Sequence, residues 1–290
     1  MYHHGLRGNV KEKILSNLPQ KLPQHLSLEL TPECNYQCPY CYCLWHEFPE
    51  LAERRLTTEE WIKVISYIAE QGVNDLLFTG GEALLFPGIR ELITHARAIM
   101  PDGKLSLFTN GSLMTEEMFL FCKEKKVYLS TSLQGLQSYG AMTGTERTFQ
   151  PLLELLAFGR QNKWKVSVSI TVTQANRNEV CNIFAAAALS GAESIQLGAM
   201  MPEGRGRQHL ELTLSRAEWE LVKEEIREMK NCGVSYSFCD EMLCECRVQP
   251  EELLKRFQNP DSKPCPAGKT FGVIGPDGTF RKCLHYWDKK

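Results

Sequence analysis

The hydrophobic pattern of the chain alternates between two kinds of segment. Short apolar runs such as LSLEL (26–30) and VSVSITVT (166–173) have the length and composition of strands. Longer segments such as TTEEWIKVISYIAEQG (57–72) carry apolar residues at helical spacing between an N-cap threonine and a C-terminal glycine. The pattern predicts strands, each followed by a helix, at 26–30, 75–82, 104–111, 127–135, 166–173 and 194–200.

This alternation predicts an α/β fold with a parallel sheet and crossover helices. Right-handed crossovers bring the C-terminal ends of the strands to one rim, where α/β proteins carry their chemistry. Beyond residue 234 the pattern changes, and FGVIGPDGTFRKCLHYW predicts a β-hairpin turned at Pro276-Asp277-Gly278. We therefore predict a lead-in segment at 1–25, a main α/β domain at 26–233 and a small C-terminal extension at 234–290.

Composition narrows the class of protein. The 290 residues carry a net charge of -2, so no basic field favours nucleic acid as a partner. The sequence has no run of 18 apolar residues, so it predicts no membrane span. Its N-terminus lacks the apolar region of a secretory signal. We expect a cytoplasmic protein without a nucleic-acid or membrane partner. In that reducing compartment, twelve cysteines indicate metal or redox chemistry rather than disulfides.

Four cysteines crowd the segment that follows the first strand, ELTPECNYQCPYCYCLWHEF. Cys34, Cys38 and Cys41 form C-x3-C-x2-C, and three thiolates leave one iron of a four-iron cluster open for another ligand. The alternative is a closed zinc site, which needs a fourth ligand such as Cys43 or His46.

With Tyr40 placed before the last cysteine, this spacing resembles the signature of the radical S-adenosylmethionine (SAM) superfamily, and the resemblance covers most of the chain. It implies a partial (β/α)6 barrel of the TIM type at 26–233. It also implies a [4Fe–4S] cluster on Cys34, Cys38 and Cys41, whose open iron binds SAM, with Tyr40 near the adenine. Reduction would cleave SAM to a 5′-deoxyadenosyl radical that abstracts hydrogen from a substrate. Cys43 falls outside this ligand set.

Two strand ends extend the resemblance. The second strand ends in Gly80-Gly81-Glu82, which resembles the superfamily's GGE motif and implies binding of the SAM amino group. Glycines let the backbone approach a ligand closely, and a carboxylate complements an ammonium group. The third strand ends in Thr109 and Asn110, where the resemblance implies the lining of the SAM pocket and ordinary turn chemistry is the alternative.

The later strand ends carry further candidates. The resemblance implies that Ser132 contacts SAM and that Leu197 packs on its adenine. Gln134 stands where many relatives have aspartate, so the contact made there is left open. Arg205 and Arg207 can either grip a carboxylate or lie in a solvated loop.

The C-terminal cysteines suggest a second cluster. Cys265 and Cys283 frame C-x12-G-x4-C, which resembles the opening of the SPASM or twitch extensions and implies an auxiliary [4Fe–4S] cluster. A complete SPASM domain has further cysteines downstream, whereas this sequence ends seven residues after Cys283. We therefore expect a truncated or vestigial extension at 234–290, or missing ligands from another cysteine group. The cysteines that could supply such ligands are Cys239, Cys244 and Cys246. We expect Cys122, Cys181 and Cys232 to be packing residues.

The resemblance favours an enzyme that modifies a peptide or protein and receives its electron from an external reductant of the flavodoxin or ferredoxin type. A radical SAM dehydrogenase of a small alcohol or sugar is one alternative, and a non-catalytic iron–sulfur protein is another. Because 33 residues precede Cys34, we expect no fused leader-peptide recognition domain there. A peptide would then be recruited by the barrel rim, the extension or a separate partner.

Overall fold

The computed structural model describes residues 18–229, 233–239 and 265–285. The lead-in before residue 18, Cys232, Cys244, Cys246 and most of the predicted extension lie outside the described residues. The chain divides into two units, one with residues up to Tyr36, 43–131 and 268 onward, and one with 37–42 and 132–267. The strands are β1 (His25–Glu29), β2 (Asp75–Thr79), β3 (Lys104–Thr109), β4 (Val127–Ser132), β5 (Val166–Val172), β6 (Ser194–Ala199), β7 (Ser235–Cys239), β8 (Phe271–Ile274) and β9 (Phe280–Arg281).

The long helices fall where the sequence predicts them, whereas the short helices Glu50–Glu53 and Tyr139–Thr143 were not predicted. Thr57 and Glu60 form a capping box at the start of the first long helix, which buries Trp61 and Val64 on one face. Ser215 begins the last one in the same way. The α-helices are Glu50–Glu53, Thr58–Glu70, Ile89–Ile99, Glu116–Glu124, Tyr139–Thr143, Gln150–Gln161, Val180–Ser190 and Arg216–Glu228. Short 3-10 turns lie at Leu44–His46, Ala83–Leu85, Arg177–Glu179, Gly204–Gln208 and Leu210–Leu212.

The first unit is built on β1, β2, β3 and β4, which run parallel with β1 beside β2, β2 beside β3 and β3 beside β4. Leu26, Leu28, Phe78 and Leu107 are fully buried on these strands. Parallel pairing with helical crossovers brings the C-terminal ends of β1, β2 and β3 to one edge of this sheet. Glu29, Thr79 and Thr109 end those strands, so the segments that follow them leave the sheet side by side.

The predicted hairpin forms, with β8 and β9 antiparallel around the Pro276-Asp277-Gly278 turn. The hydrophobic pattern did not predict its position: β8 pairs with β1 in parallel, so the hairpin extends the first unit's sheet. A buried ion pair joins Arg281 of the hairpin to Glu29 of β1, and both side chains are 2% exposed. Because a buried charge is costly without a partner, this pair ties the position of the hairpin to β1.

The second unit contains β5, β6 and β7, all parallel. β5 alternates buried and half-buried residues, as the pattern VSVSITV predicts. β7 is a seventh parallel strand in a segment where the sequence indicates only a change of pattern. The α/β class with parallel strands and crossover helices is confirmed in both units, and no closed barrel is shown among the described residues. The boundaries predicted at residues 25 and 233 stay a prediction.

None of the helices within the described ranges is both long and apolar enough to cross a membrane.

Candidate radical SAM site

A glycine turn after β2 is fastened to the segment that leads into Cys34. The Gly81 N–H donates to the Thr31 carbonyl at 2.7 Å, and the Glu82 N–H donates to the Glu33 carbonyl at 2.7 Å. These two bonds run between the ends of neighbouring parallel strands, which is why residues 50 and 49 positions apart in sequence meet here. The GGE turn therefore fixes the start of the cysteine loop.

Both glycines of the turn are required by space. A Cβ at Gly81 would collide with the Glu33 carbonyl and lie 2.7 Å from the Pro32 oxygen. Gly80 has a φ of 142°, and a Cβ there would lie 2.6 Å from the Thr31 oxygen. No residue with a side chain fits either position without moving the backbone of residues 31–33.

The Glu82 carboxylate is buried, at 1% exposure, and three donors hold it. Its Oε1 accepts from the Thr109 hydroxyl at 2.6 Å and from the Leu84 N–H at 3.0 Å. Its Oε2 accepts from the Asn110 N–H at 2.7 Å. A carboxylate offers about four acceptor positions, so roughly one remains on Oε2. Burial raises the pKa of Glu82, and the bonds from Thr109, Leu84 and Asn110 oppose that rise.

This raised pKa predicts a pH-dependent stability that Glu82→Gln removes. The unfolded chain ionises near the ordinary value of 4.5, whereas the folded chain keeps its proton to higher pH. Between 4.5 and the raised pKa of Glu82 in the folded chain, the wild type loses up to about 1.4 kcal/mol of stability per pH unit as pH rises. Urea unfolding of the cofactor-free protein at several pH values between 4.5 and 7 should show the wild type losing stability relative to Glu82→Gln. A difference that stays constant with pH would contradict this, and Glu117→Gln, at an exposed glutamate, controls for the substitution itself.

A polar network connects the ends of β1 and β3. The Asn110 side chain donates to Asn35 Oδ1 at 2.9 Å, and Asn35 donates to the Ser112 hydroxyl at 2.8 Å. Ser112 in turn donates through its hydroxyl to Asn110 Oδ1 at 2.6 Å. Sequence reasoning identified Asn110 but missed Asn35 and Ser112. Asn35 lies next to Cys34 and Ser112 closes the TNGS turn, and that proximity in sequence was the available signal.

The second unit holds the rest of the cysteine loop, Gln37–Tyr42. The Gln37 N–H donates to the Thr143 carbonyl at 3.0 Å, and Gly144, with φ at 61°, leaves room for the Gln37 backbone. The Cys41 N–H donates to the Cys38 carbonyl at 3.2 Å, so the segment from Cys38 to Cys41 forms a tight turn. Both thiols are half-buried and free of disulfides.

Gln134 and Asn176 have structural partners in the second unit. Gln134 Oε1 accepts from the Thr171 N–H at 2.6 Å, and its backbone carbonyl accepts from Asn176 Nδ2 at 2.7 Å. Asn176 also donates to the Thr171 carbonyl at 2.9 Å. Both side chains are almost fully buried, so in the structure they join the segment at Gln134 to β5. The structure thus gives Gln134 a backbone partner at the position whose ribose or substrate contact the sequence leaves open.

The remaining candidates differ in exposure. Cys34 is exposed, Tyr40 and Ser132 are half-buried, and Leu197 has no exposed surface. Cys265 is half-buried and Cys283 is buried. Within 18–229, 233–239 and 265–285, no group of three or more His, Cys, Asp or Glu side chains is gathered to hold a metal ion. The ligand and SAM-contact roles of all these residues stay predictions.

Comparison with known proteins identifies the class. The model of the radical SAM superfamily matches residues 28–186, more than half of the chain, and the chain belongs to that superfamily. The family assignment that the sequence suggested is confirmed, and so are its cofactors, a [4Fe–4S] cluster and SAM.

Individual relatives are more distant. The sporulation killing factor maturation protein SkfB of Bacillus subtilis is 27% identical over 201 residues, covering 68% of this chain and 47% of that protein. The PqqA peptide cyclase of Granulibacter bethesdensis is 24% identical over 262 residues, covering 86% of this chain and 64% of that protein. The crystal structure of Streptococcus suis SuiB bound to S-adenosylmethionine has a TM-score of 0.68 at 13% identity and covers 95% of this chain and 62% of SuiB. That likeness confirms the fold class, and this chain spans less than two thirds of each of these proteins.

Proposed function

We propose that this protein is a radical SAM enzyme in which Cys34, Cys38 and Cys41 hold the [4Fe–4S] cluster. The observation that carries the proposal is the GGE turn bonded through Gly81 and Glu82 to Thr31 and Glu33, directly before Cys34. Three thiols that are free of disulfides suit an iron–sulfur cluster with one open iron, and the cradle at Gly80 and Gly81, which a Cβ would fill, suits close approach by a ligand.

The residues of this chain would bind and orient SAM. The cluster, when bound and reduced, supplies the electron that cleaves SAM to methionine and a hydrogen-abstracting 5′-deoxyadenosyl radical. Glu82 would accept the SAM ammonium group at the one acceptor position that Thr109, Leu84 and Asn110 leave open on its carboxylate. An ammonium group there also favours the ionised carboxylate, which opposes the rise in its pKa caused by burial.

The other assigned residues complete the site. Tyr40, Thr109, Asn110, Ser132 and Leu197 would surround the rest of SAM. In that role Thr109 acts through Glu82, because its hydroxyl already donates to that carboxylate. We assign Cys265 and Cys283 to an auxiliary cluster because of their spacing, C-x12-G-x4-C.

We further propose a peptide substrate, an external one-electron reductant and a cytoplasmic location. SkfB and the PqqA cyclase are named for the maturation of a killing factor and the cyclisation of a peptide, and SuiB has been crystallised with its precursor peptide SuiA. These three proteins support a peptide by likeness. No disulfide joins the nine described cysteines, which suits a reducing compartment.

Hydrogen transfer tests the proposed substrate. The anaerobically reconstituted protein is given SAM, dithionite and short peptides encoded beside its own gene, each produced in deuterated medium. We expect 5′-deoxyadenosine that carries deuterium, because the radical takes a deuterium atom from the peptide. Unlabelled peptide is the control. If a deuterated cell extract still supplies deuterium after protease treatment, the donor is a small molecule and the peptide assignment is contradicted. If no 5′-deoxyadenosine forms at all, the proposal that the protein is an enzyme is contradicted.

A further inference from the structure

The loop after β6 holds the second half of the cysteine loop. Arg205 donates its backbone N–H to the Cys41 carbonyl at 2.9 Å and its guanidinium Nη1 to the Cys38 carbonyl at 3.2 Å. The Gly206 N–H also points to the Cys41 carbonyl, at 3.3 Å. One short 3-10 turn therefore binds the backbone of two predicted cluster ligands.

Packing fixes this turn in place. A Cβ at Gly206 would lie 2.8 Å from Met200 Cε and 3.1 Å from the Met201 carbonyl, and Met200 and Met201 are themselves buried. The turn can thus approach Cys41 closely because position 206 has no side chain. Arg205 is half-buried, whereas Arg207, two positions on, is exposed and forms an ion pair with Glu203 at 2.7 Å.

We propose that Arg205 is a positioning residue that fixes the turn from Cys38 to Cys41 and raises the reduction potential of the cluster. This rests on the proposed function, in which both cysteines are ligands. A hydrogen bond from a charged donor is stronger than one from a neutral donor. The bond from the Arg205 guanidinium therefore restrains the Cys38 carbonyl, which lies in the backbone between Cys38 and Cys41. Reduction adds an electron to the cluster, so a neighbouring positive charge stabilises the reduced state more than the oxidised state.

Three variants separate charge from geometry. Arg205→Met removes the charge and the guanidinium bond but keeps an unbranched side chain in place of the aliphatic stem of arginine. Arg205→Lys keeps the charge without the planar donor set. Arg207→Met removes the same charge from the neighbouring ion pair and is the matched control. Each protein is reconstituted, and redox titration followed by electron paramagnetic resonance gives the potential, while a chelator assay gives the rate of iron loss.

We expect Arg205→Met to lower the ratio of reduced to oxidised cluster at a given potential by about tenfold, which is ~59 mV for one electron. Iron loss to the chelator should be several-fold faster in Arg205→Met and Arg205→Lys than in the wild type. Arg205→Lys should keep a potential near that of the wild type, and Arg207→Met should match the wild type in both measurements.

Other results would overturn the inference. An unchanged potential in Arg205→Met, or an equal change in Arg207→Met, would show that Arg205 does not tune the cluster. If Arg205→Met fails to fold, Arg205→Lys decides. A change of about tenfold in its ratio of reduced to oxidised cluster at a given potential would contradict the inference, because lysine keeps the charge. A wild-type protein that binds a cluster and cleaves SAM would keep the proposed function in every one of these cases. A wild type that binds no cluster would instead refute that function.

Discussion

Cys41→Ala is expected to abolish both cluster binding and 5′-deoxyadenosine formation, whereas Cys43→Ala should keep both. The two thiols are two positions apart but differ in their surroundings. Cys41 is half-buried, and its backbone closes the turn with Cys38. Cys43 is buried, and its sulfur lies 4.0 Å from the Gly80 carbonyl, to which the thiol can donate. Loss of one of three thiolate ligands leaves a second iron without its protein ligand, so we expect the cluster to fall apart.

Iron and sulfide analysis after anaerobic reconstitution, followed by an assay for 5′-deoxyadenosine with SAM and dithionite, measures both effects. Cys122→Ala is the matched control, because it removes a thiol that cannot act as a ligand. Cys122 is fully buried in the helix Glu116–Glu124, and burial raises the pKa of its thiol to about 12. If Cys41→Ala keeps the cluster and Cys43→Ala loses it, the ligand assignment is reversed, and a site that includes Cys43 as a ligand is favoured.

Local patterns predicted most of the first unit. The predicted strands and the long helix that begins after Thr57 follow from apolar spacing and from a capping residue, and they were found where expected. The order of the motifs was also enough to place the GGE turn at the strand end beside Cys34, because parallel neighbours must end at one edge. These features depend on residues near each other in sequence, or on general rules of sheet topology.

Long-range pairings could not be predicted in the same way. Glu29 and Arg281 are 252 residues apart, and nothing in either segment indicates that β8 runs beside β1. The sequence favoured a solvated loop for Arg205 over a grip on a carboxylate, and its contact with the Cys38 carbonyl depends on a backbone group that no side-chain pattern identifies.

The polar residues of the site show the same limit. Thr109 and Glu82 were both expected to face SAM, but the Thr109 hydroxyl is committed to Glu82 and accepts from the Gly111 N–H. Asn35 and Ser112 were missed because asparagine and serine in turns are common. Residue type at a strand end predicts that a side chain lies near a site. The hydrogen bonds decide whether it faces the ligand or supports another residue.

Gly81→Ala is expected to reduce 5′-deoxyadenosine formation by about a hundredfold or more, because a displacement of about 1 Å in a positioning element has an effect of that size. The added Cβ would collide with the Glu33 carbonyl and lie 2.6 Å from its carbon, so the turn has to move away from residues 31–33. That movement breaks the bonds from Gly81 to Thr31 and from Glu82 to Glu33. Overpacking of this kind also costs about 1–3 kcal/mol of stability.

Gly72→Ala is the control for this substitution. Gly72 has a φ of 85° and no atom within 4 Å of an added Cβ, so alanine there costs about 1–2 kcal/mol of backbone strain without a collision. Its activity should equal that of the wild type at a temperature where both are folded. A comparable loss of activity in Gly72→Ala would mean that destabilisation, rather than the collision at Glu33, explains the Gly81 variant.

Iron content and SAM affinity, measured on the reconstituted Gly81→Ala protein, locate the defect. All three cysteines are intact in this variant, so we expect most of the iron to be retained while equilibrium dialysis shows SAM binding at least tenfold weaker. That combination assigns the turn to SAM, because the cluster ligands alone then fail to bind it. Wild-type SAM affinity in Gly81→Ala would contradict the assignment, and it would leave the bonds to Thr31 and Glu33 as supports for the fold of the cysteine loop only.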